Sequence, residues 1–372
     1  MRIAEFKLER YFARYEFDAP YLLSSSDVEG YRLPELLALA DDEGRARWDD
    51  LALGYTESPG HPALRREIAG LYAGVAPGEM LVFSGAEEAI FATLNVTLGP
   101  GDHAVVIWPA YQSLYAVARA TGAEVTLVPL VAEAGWALDL AALRAAVRPN
   151  TRLIAINFPH NPTGATIDRA TLAAIVDLAR EAGAWLLSDE VYRLLEYDPV
   201  DRLPAAVDRY DRALSLGVMS KAFALAGLRI GWLATHDADL LARLQAFKDY
   251  TTICNSAPSE ALAIIALRAR EAVLARSMAL IADNLPAVDA FFARWPERFA
   301  WTRPKVGPIG FPRLLAGGPI ERFAEELVAA TGVMLLPGTV YDYPGDHFRL
   351  GFARRNLPEA LARLDEYVRR ET

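Results

Sequence analysis

The sequence is most informative at Ser220-Lys221-Ala222-Phe223-Ala224-Leu225-Ala226-Gly227-Leu228-Arg229-Ile230-Gly231-Trp232. Lysine is rare in this chain, and one of its four lysines stands in this small, apolar segment. A desolvated amine can lose its proton and condense with an aldehyde, whereas a guanidinium cannot, so we expect Lys221 to form a Schiff base. Eight residues later, Arg229 can bind a phosphate with its planar fork. An aldehyde and a phosphate together indicate pyridoxal 5'-phosphate (PLP).

The composition favours a cytoplasmic protein without nucleic-acid, membrane or metal partners. The 372 residues carry 38 basic and 48 acidic side chains, a net charge of -10, which offers no attraction to nucleic acid or an anionic membrane. Cys254 is the single cysteine, so we expect no intrachain disulfide and a reducing compartment. No apolar run reaches membrane-spanning length, no signal-peptide core follows Met1, and the histidines lack metal-ligand spacing.

Short apolar runs alternate with longer helical segments over the middle of the chain. Because these runs lack polar alternation, they are typical of strands buried on both faces and joined by helices. We therefore predict an α/β fold with a mostly parallel, doubly wound sheet and helices on both faces. The predicted strands are Met80–Phe83, Ala104–Trp108, Glu124–Pro129, Leu153–Phe158, Trp185–Ser188, Ala213–Val218 and Arg229–Ala234.

The two ends of the chain predict a smaller α+β domain. Residues 2–15 read as an amphipathic helix, followed by a loop at Ser24–Gly30 and a short helix at Leu33–Leu39. A long helix from about residue 237 leads to strands near 299–302, 309–314, 332–336 and 347–352. We expect residues 45–268 to form the large domain, 269–372 the small domain, and 1–44 a segment that joins the small domain.

Polar residues follow several predicted strands, where ligands of open parallel sheets bind. Ser84-Gly85-Ala86 separates a strand from a helix and can cradle a phosphate with free backbone N–H groups. Tyr111 follows the next strand and can stack on a pyridine ring. Asn161 precedes Pro162 in a tight turn that can point its amide into the site, and this peptide bond is a candidate for the cis form.

Two further charged residues stand in apolar strands. Asp189 ends a strand, where a carboxylate is costly unless it meets a cation such as a protonated pyridine ring. Tyr192 lies one helical turn further and can hydrogen-bond the phenolic oxygen of that ring. Arg349 stands in an apolar strand, where an amino-acid carboxylate would be a suitable planar partner. Each signal alone has a structural alternative: a plain turn, a core tyrosine, a capped turn, a helix N-cap or an internal salt bridge.

Together, these motifs resemble the class I/II (fold type I) PLP-dependent aminotransferases from about Tyr55 to Arg349. The most specific parts are Asn161-Pro162-Thr163-Gly164, Asp189-Glu190-Val191-Tyr192 and the segment around Lys221. The resemblance implies a Lys221 Schiff base and catalytic roles for Asp189 and Tyr192. It places Tyr111 on the cofactor ring and implies that Arg349, with Asn161, binds the substrate. The remaining cofactor contacts implied are Asn161 and Tyr192 at the phenolic oxygen and Ser84, Gly85, Ala86, Ser220 and Arg229 at the phosphate.

The resemblance also implies a homodimer with shared active sites, because Tyr55 matches a tyrosine that reaches the phosphate of the neighbouring subunit. One departure is Val218, since many relatives carry Ser or Thr three residues before the lysine, in contact with the phosphate. We therefore expect Ser220, Arg229 and the Ser84 turn to bind the phosphate without that hydroxyl.

The resemblance implies ping-pong transfer of the α-amino group of an L-amino acid to a 2-oxo acid. Elimination, or cyclisation of a guanidino amino acid as in capreomycidine formation, also begins with loss of the Cα proton and stays open, as does a PLP-binding regulatory module. A nicotinamide dehydrogenase is disfavoured because no Gly-x-Gly-x-x-Gly follows the early strands. For the substrate side chain there are two hypotheses, an apolar pocket or a cation site at Asp27 and Glu29. The apolar pocket would be formed by Tyr31, Trp108, Trp301 and Phe311.

Overall fold

The computed structural model of the protein describes residues 2–371. The helices are α1 (Lys7–Tyr15), α2 (Leu33–Leu37), α3 (Asp42–Asp49), α4 (Pro62–Ala69), α5 (Ala86–Thr97), α6 (Ser113–Ala120), α7 (Leu140–Ala146), α8 (Arg169–Ala182), α9 (Ala238–Lys248), α10 (Ala257–Arg268), α11 (Arg270–Arg294), α12 (Ile320–Thr331) and α13 (Leu357–Glu371). The strands are β1 (Tyr21–Leu22), β2 (Met80–Phe83), β3 (His103–Trp108), β4 (Glu124–Val131), β5 (Ala137–Leu138), β6 (Thr151–Asn157), β7 (Trp185–Asp189), β8 (Ala213–Val218), β9 (Gly231–Ala234), β10 (Phe299–Ala300), β11 (Ile309–Gly310), β12 (Arg313–Leu314), β13 (Val333–Met334), β14 (Leu336–Pro337) and β15 (Phe348–Gly351). Within residues 2–371, every helix is too short or too polar to cross a lipid bilayer.

An eight-stranded sheet forms the centre of the fold, in the order β2-β9-β8-β7-β6-β3-β4-β5. Strands β4, β3, β6, β7 and β8 are parallel neighbours, whereas β9 is antiparallel to both of its neighbours and β5 to β4. Along β3, Ala104 and Val106 belong to one apolar core, and Val105 and Ile107 to another. Because successive side chains of a strand point to opposite faces, both faces of the sheet are covered. The predicted fold class is confirmed.

Register brings the polar strand ends to one edge of this sheet. In the parallel pair β6 and β7, Asn157 lies opposite Asp189 at the carboxyl ends of both strands. Strand β8 ends at Val218, three residues before Lys221. The polar and ionisable residues of these strand ends therefore meet where parallel sheets bind ligands.

The C-terminal part of the chain contains smaller sheets. Strand β15 lies between β11 and β14, antiparallel to both, and carries Arg349 opposite Leu336. The N-terminal strand β1 pairs in parallel with β13. Residues near the two ends of the chain are thus joined by backbone hydrogen bonds.

Several boundaries differ from the predicted ones. Helix α1 begins at Lys7, not near residue 2, because the Gln112 side chain binds the Glu5 carbonyl and the Lys7 N–H at 2.7 and 3.0 Å. The long helix predicted from residue 237 is divided into α9, α10 and α11, with a turn at residues 249–256. Arg229 has a left-handed backbone with φ 52°, so strand β9 begins only at Gly231. The Asn161–Pro162 bond is cis, as predicted.

Candidate active site

A cavity of about 390 Å³ opens at the carboxyl edge of the large sheet. Its volume is in the usual range for small-molecule sites. Residues from helix α1, the loop after β1, the large sheet and β15 meet around it. The sequence-predicted residues that line it are Ala86, Tyr111, Asn161, Asp189, Ser220, Lys221, Arg229 and Arg349.

Lys221 lies in the wall of this cavity with its amine close to the N-terminal loop. Its Nζ atom donates a hydrogen bond to the Ser26 hydroxyl at 2.8 Å and lies 5.6 Å from the centre of the Tyr192 ring. Burial lowers the pKa of the amine to about 8, with Asp27 and Asp189 acting in the opposite direction. A substantial fraction of the amine is therefore neutral near physiological pH.

Asp189 is the last residue of β7 and is 4% exposed. Burial raises the pKa of its carboxyl group to about 7, and a hydrogen bond from the Val191 N–H, at 3.2 Å, acts against this rise. The side chain takes part in no ion pair within residues 2–371. A buried carboxyl group of this kind favours a cationic or proton-donating ligand group beside it.

Arg349 is 2% exposed and binds neutral oxygens. Its Nε and Nη2 atoms donate to the Ser24 carbonyl at 2.9 and 2.7 Å. Its Nη1 atom donates to the Tyr341 hydroxyl at 2.6 Å and to Asn161 Oδ1 at 3.3 Å. None of the ion pairs formed by residues 2–371 includes Arg349, which argues against the internal salt bridge considered above.

The turn between β2 and α5 lies beside Arg229. Gly85 has φ +90°, and a Cβ atom there would be 2.4 Å from Arg229 Nη2. The first turn of α5 presents backbone N–H groups that have no carbonyl partner within the helix. The Ser84 N–H, in contrast, already donates to Glu88 Oε2 at 2.6 Å. The turn can therefore hold an anion through Ala86 and the residues after it rather than through the Ser84 backbone.

The three predicted tyrosines have different surroundings. Tyr111 lines the cavity and packs edge-on against Phe6, with ring centres 5.3 Å apart. The Tyr192 hydroxyl donates to the Ser26 carbonyl at 2.9 Å, so in this structure it binds the loop. Tyr55 is 92% exposed and lies outside the cavity, beside a separate surface groove.

The apolar side-chain pocket predicted from four aromatic residues is wrong, because none of them lines the cavity. Trp108 and Phe311 pack with Tyr343, and Trp301 stacks on Phe292. Tyr31 lies under the Arg276 guanidinium. Of the two predicted acids, Asp27 lines the cavity, but Glu29 pairs with Arg355 at 3.4 Å.

Sequence reasoning missed several cavity residues, among them Glu9, Glu16, Ser25, Ser26 and Glu87. Sequence reasoning also missed Tyr341, whose hydroxyl accepts a hydrogen bond from Arg349. The approach of Glu9, Glu16, Ser25 and Ser26 depends on long-range packing of the N-terminal segment over the sheet. Local signals existed for Glu9 and Glu16, whose seven-residue spacing puts them on one helical face, and for Glu87, which directly follows the predicted phosphate turn.

The arrangement fits PLP. A lysine with a lowered pKa, a buried carboxyl group with a raised pKa and an arginine beside a helix N-terminus lie in one cavity. These groups suit an aldehyde, a pyridine nitrogen and a phosphate in turn. Arg349 remains for a separate anionic group.

Comparison with known proteins supports this assignment. Residues 22–364 match the family model of the class I and II aminotransferases. Capreomycidine synthase of Streptomyces vinaceus is 34% identical over 365 residues, which cover 96% of this chain and 92% of that protein.

Two solved structures are similar over their full length. A PLP-dependent aminotransferase from Streptococcus suis 89-1591 has a TM-score of 0.94 and 33% identity, covering 100% of this chain and 99% of that chain. The PLP-dependent cyclase OrfR has a TM-score of 0.90 and 31% identity, with the same coverage of both chains. The chain described here therefore belongs to the class I and II aminotransferases, a family of PLP-dependent enzymes.

Proposed function

We propose that this protein transfers the α-amino group of an L-amino acid to a 2-oxo acid. The observation that carries the proposal is the presence of Lys221, Asp189 and Arg349 in one cavity, with the lysine pKa lowered to about 8. Bound PLP supplies an aldehyde that reacts with amines and a ring that withdraws electrons from the substrate Cα. The protein must supply binding, orientation and proton transfer.

Lys221 is the proposed base. It would hold the PLP aldehyde, and its Nζ atom, once free, would take the proton from the substrate Cα and keep it within the cavity. Burial makes the neutral amine available near physiological pH, which suits a general base. Asp189 would hold the proton on the ring nitrogen, since its buried carboxylate gains most from a cationic partner.

The remaining residues position the two ligands. Arg349 and Asn161 would bind the α-carboxylate of the substrate, with the planar guanidinium fixing its orientation. Tyr111 would cover one face of the ring, and Tyr192, with Asn161, would meet the phenolic oxygen. The proposed phosphate ligands are the Ser84 hydroxyl, the Ala86 backbone N–H, Ser220 and Arg229, with Gly85 shaping the turn, because the Ser84 and Gly85 N–H groups already donate to Glu88 and to the Phe83 carbonyl.

We further propose a homodimer in which Tyr55 enters the site of the partner subunit. Tyr55 is exposed in the single chain, together with the large apolar side chains of Leu53, Tyr250 and Ile253. An exposed apolar patch of this kind is typical of a protein interface. Lys248 Nζ donates a 2.7 Å hydrogen bond to the Ser58 carbonyl. This bond fixes the segment that carries Leu53 and Tyr55, so the patch has a defined shape.

Replacement of the proposed base tests the function. Lys221→Ala should abolish transfer to a 2-oxo acid, whereas Lys305→Ala, which removes an exposed lysine outside the cavity, should retain it. The assay measures the 2-oxo product from a panel of L-amino acids with 2-oxoglutarate or pyruvate as acceptor. Transfer by Lys221→Ala at the wild-type rate would disprove the assignment of the base.

A second candidate is cyclisation of a guanidino amino acid. It is favoured by the similarity to capreomycidine synthase over 96% of this chain and by the structural similarity to the cyclase OrfR. Both reactions need the same removal of the Cα proton. Omitting the 2-oxo acid separates them, because aminotransfer stops without an acceptor and cyclisation continues.

A further inference from the structure

The active-site cavity is lined by several carboxylates besides Asp189. Glu9, Glu16, Asp27 and Glu87 line it, and we call these four residues the acidic wall. Glu16 is the C-cap residue of α1 and lies seven residues after Glu9, almost two helical turns along the same face. Among ion pairs of residues 2–371, one involves the wall, between Asp27 and Arg354 Nη2 at 2.8 Å.

The cations of the cavity do not neutralise this wall under the proposed chemistry. Lys221, Arg229 and Arg349 are the basic side chains that line the cavity. They are assigned to the cofactor aldehyde, the cofactor phosphate and the substrate carboxylate, so each meets another anionic or reactive group. Negative charge therefore remains at Glu9 and Glu16, the two wall residues contributed by helix α1 and its C-cap.

The excess of negative charge affects the protonation of Glu16. Burial raises the pKa of its carboxyl group, and the neighbouring Asp27 and Glu9 raise it further, while Arg354 and Arg349 act weakly in the opposite direction. A cation placed among these carboxylates would be attracted by all of them.

A second observation points to a polar ligand at the same place. Ser25 is 5% exposed and lines the cavity, two residues before Asp27, and its hydroxyl has no hydrogen-bond partner among residues 2–371. Buried hydroxyl groups nearly always have a partner. The Ser25 hydroxyl can accept a hydrogen bond from an ammonium or guanidinium group.

Building on the function proposed above, we infer that the preferred substrate is an L-amino acid with a cationic side chain. Its carboxylate binds Arg349, and its ammonium or guanidinium group binds the acidic wall, principally Glu16. Helix α1 is then the element that selects the side chain.

L-Arginine and L-citrulline provide the test, because they have nearly the same shape and differ in side-chain charge. Their dissociation constants for the PLP-loaded protein are measured from the change in cofactor absorbance. We expect arginine to bind at least about tenfold more tightly, the effect of one charge-assisted hydrogen bond. Glu16→Gln should reduce this preference, and Glu9→Gln/Glu16→Gln should abolish it.

The matched control is Glu5→Gln, which removes an exposed carboxylate of the same segment outside the cavity and should keep the preference. Equal binding of arginine and citrulline by the wild type would overturn the inference, as would an unchanged preference in the double variant. If neutral amino acids are transaminated by a Lys221-dependent reaction in that case, the proposed function stands. Failure of every amino acid to react would instead overturn the proposed function.

Discussion

In the protein without ligand, burial destabilises the ionised form of the Asp189 carboxyl group. Its pKa is raised to about 7 by burial, against about 3.9 for an exposed aspartate. Between these two values the folded state binds more protons than the unfolded state. The free energy of unfolding therefore falls as the pH rises from about 4 to 7, and the cost stays in place above pH 7.

Asp189→Asn should separate stability from activity. Without cofactor, the variant should unfold at a higher temperature than the wild type at pH 8, and this difference should shrink toward pH 4, where the wild-type carboxyl group is protonated. Amino-group transfer should fall by at least about a hundredfold, because a neutral amide cannot hold the ring proton. The measurements are thermal unfolding of the cofactor-free protein and turnover after PLP loading.

Asp18→Asn is the control, since Asp18 is exposed and outside the cavity. It should leave the unfolding temperature unchanged at both pH values. A lower unfolding temperature for Asp189→Asn at pH 8 would show that the buried carboxylate stabilises the fold.

At the scale of elements, the turn between β2 and α5 depends on a glycine. Gly85 combines φ +90° with an Arg229 guanidinium 2.4 Å from where a Cβ atom would be. An L-residue in this backbone conformation costs about 1–3 kcal/mol, and the arginine must also move. In the proposed phosphate site, the shape of the backbone and the position of Arg229 thus depend on one residue.

Gly85→Ala should weaken PLP binding about tenfold or more while leaving the sheet intact. Gly227→Ala is the matched control, because a Cβ atom at Gly227 meets nothing within 4 Å and its φ is not in the left-handed region. Cofactor affinity is measured from the fluorescence of the cofactor-free protein during titration with PLP. Equal affinities of the two variants would contradict the proposed phosphate site.

The sequence predicted the central elements better than the peripheral ones. The sheet strands are short, continuous apolar runs, and their pattern is independent of what packs on them. Helix α1 begins later than predicted because Gln112, more than a hundred residues away, binds its first backbone groups. Such long-range contacts cannot be predicted from local sequence. For this reason Glu16 and Ser26 were missed, since their contacts depend on how the N-terminal segment crosses the sheet.

The confirmed predictions concern the family, the fold class and the cofactor. The strongest signals were motifs whose residues are close in sequence, such as Asn161-Pro162 and the segment around Lys221. The roles of single residues and the domain boundaries stay predictions, as does the cytoplasmic location.

At the scale of the whole molecule, the proposed dimer assigns Tyr55 and Lys221 of one chain to different active sites. A mixture of Tyr55→Ala and Lys221→Ala subunits should therefore regain activity. Random pairing makes half of the dimers hybrid, and each hybrid has one intact site, so recovery should approach about a quarter of the wild-type rate. The assay follows turnover after the two variants are unfolded and refolded together.

A mixture of Lys221→Ala and Asp189→Asn serves as the control, because each hybrid dimer then has a lesion in both sites. This mixture should stay inactive. A Tyr55→Ala mixture no more active than its separate components would place Tyr55 outside the neighbouring site.

The loop from Ser24 to Ser26 already binds Arg349, Lys221 and Tyr192 through its carbonyl and hydroxyl oxygens. Every incoming molecule must therefore compete with the protein's own oxygens and gains only the difference between the two sets of bonds. A simple carboxylate such as acetate can replace only the contacts of Arg349, whereas a complete amino acid can also replace that of Lys221. Internal competition thus lowers the net binding free energy of every ligand that displaces the loop oxygens.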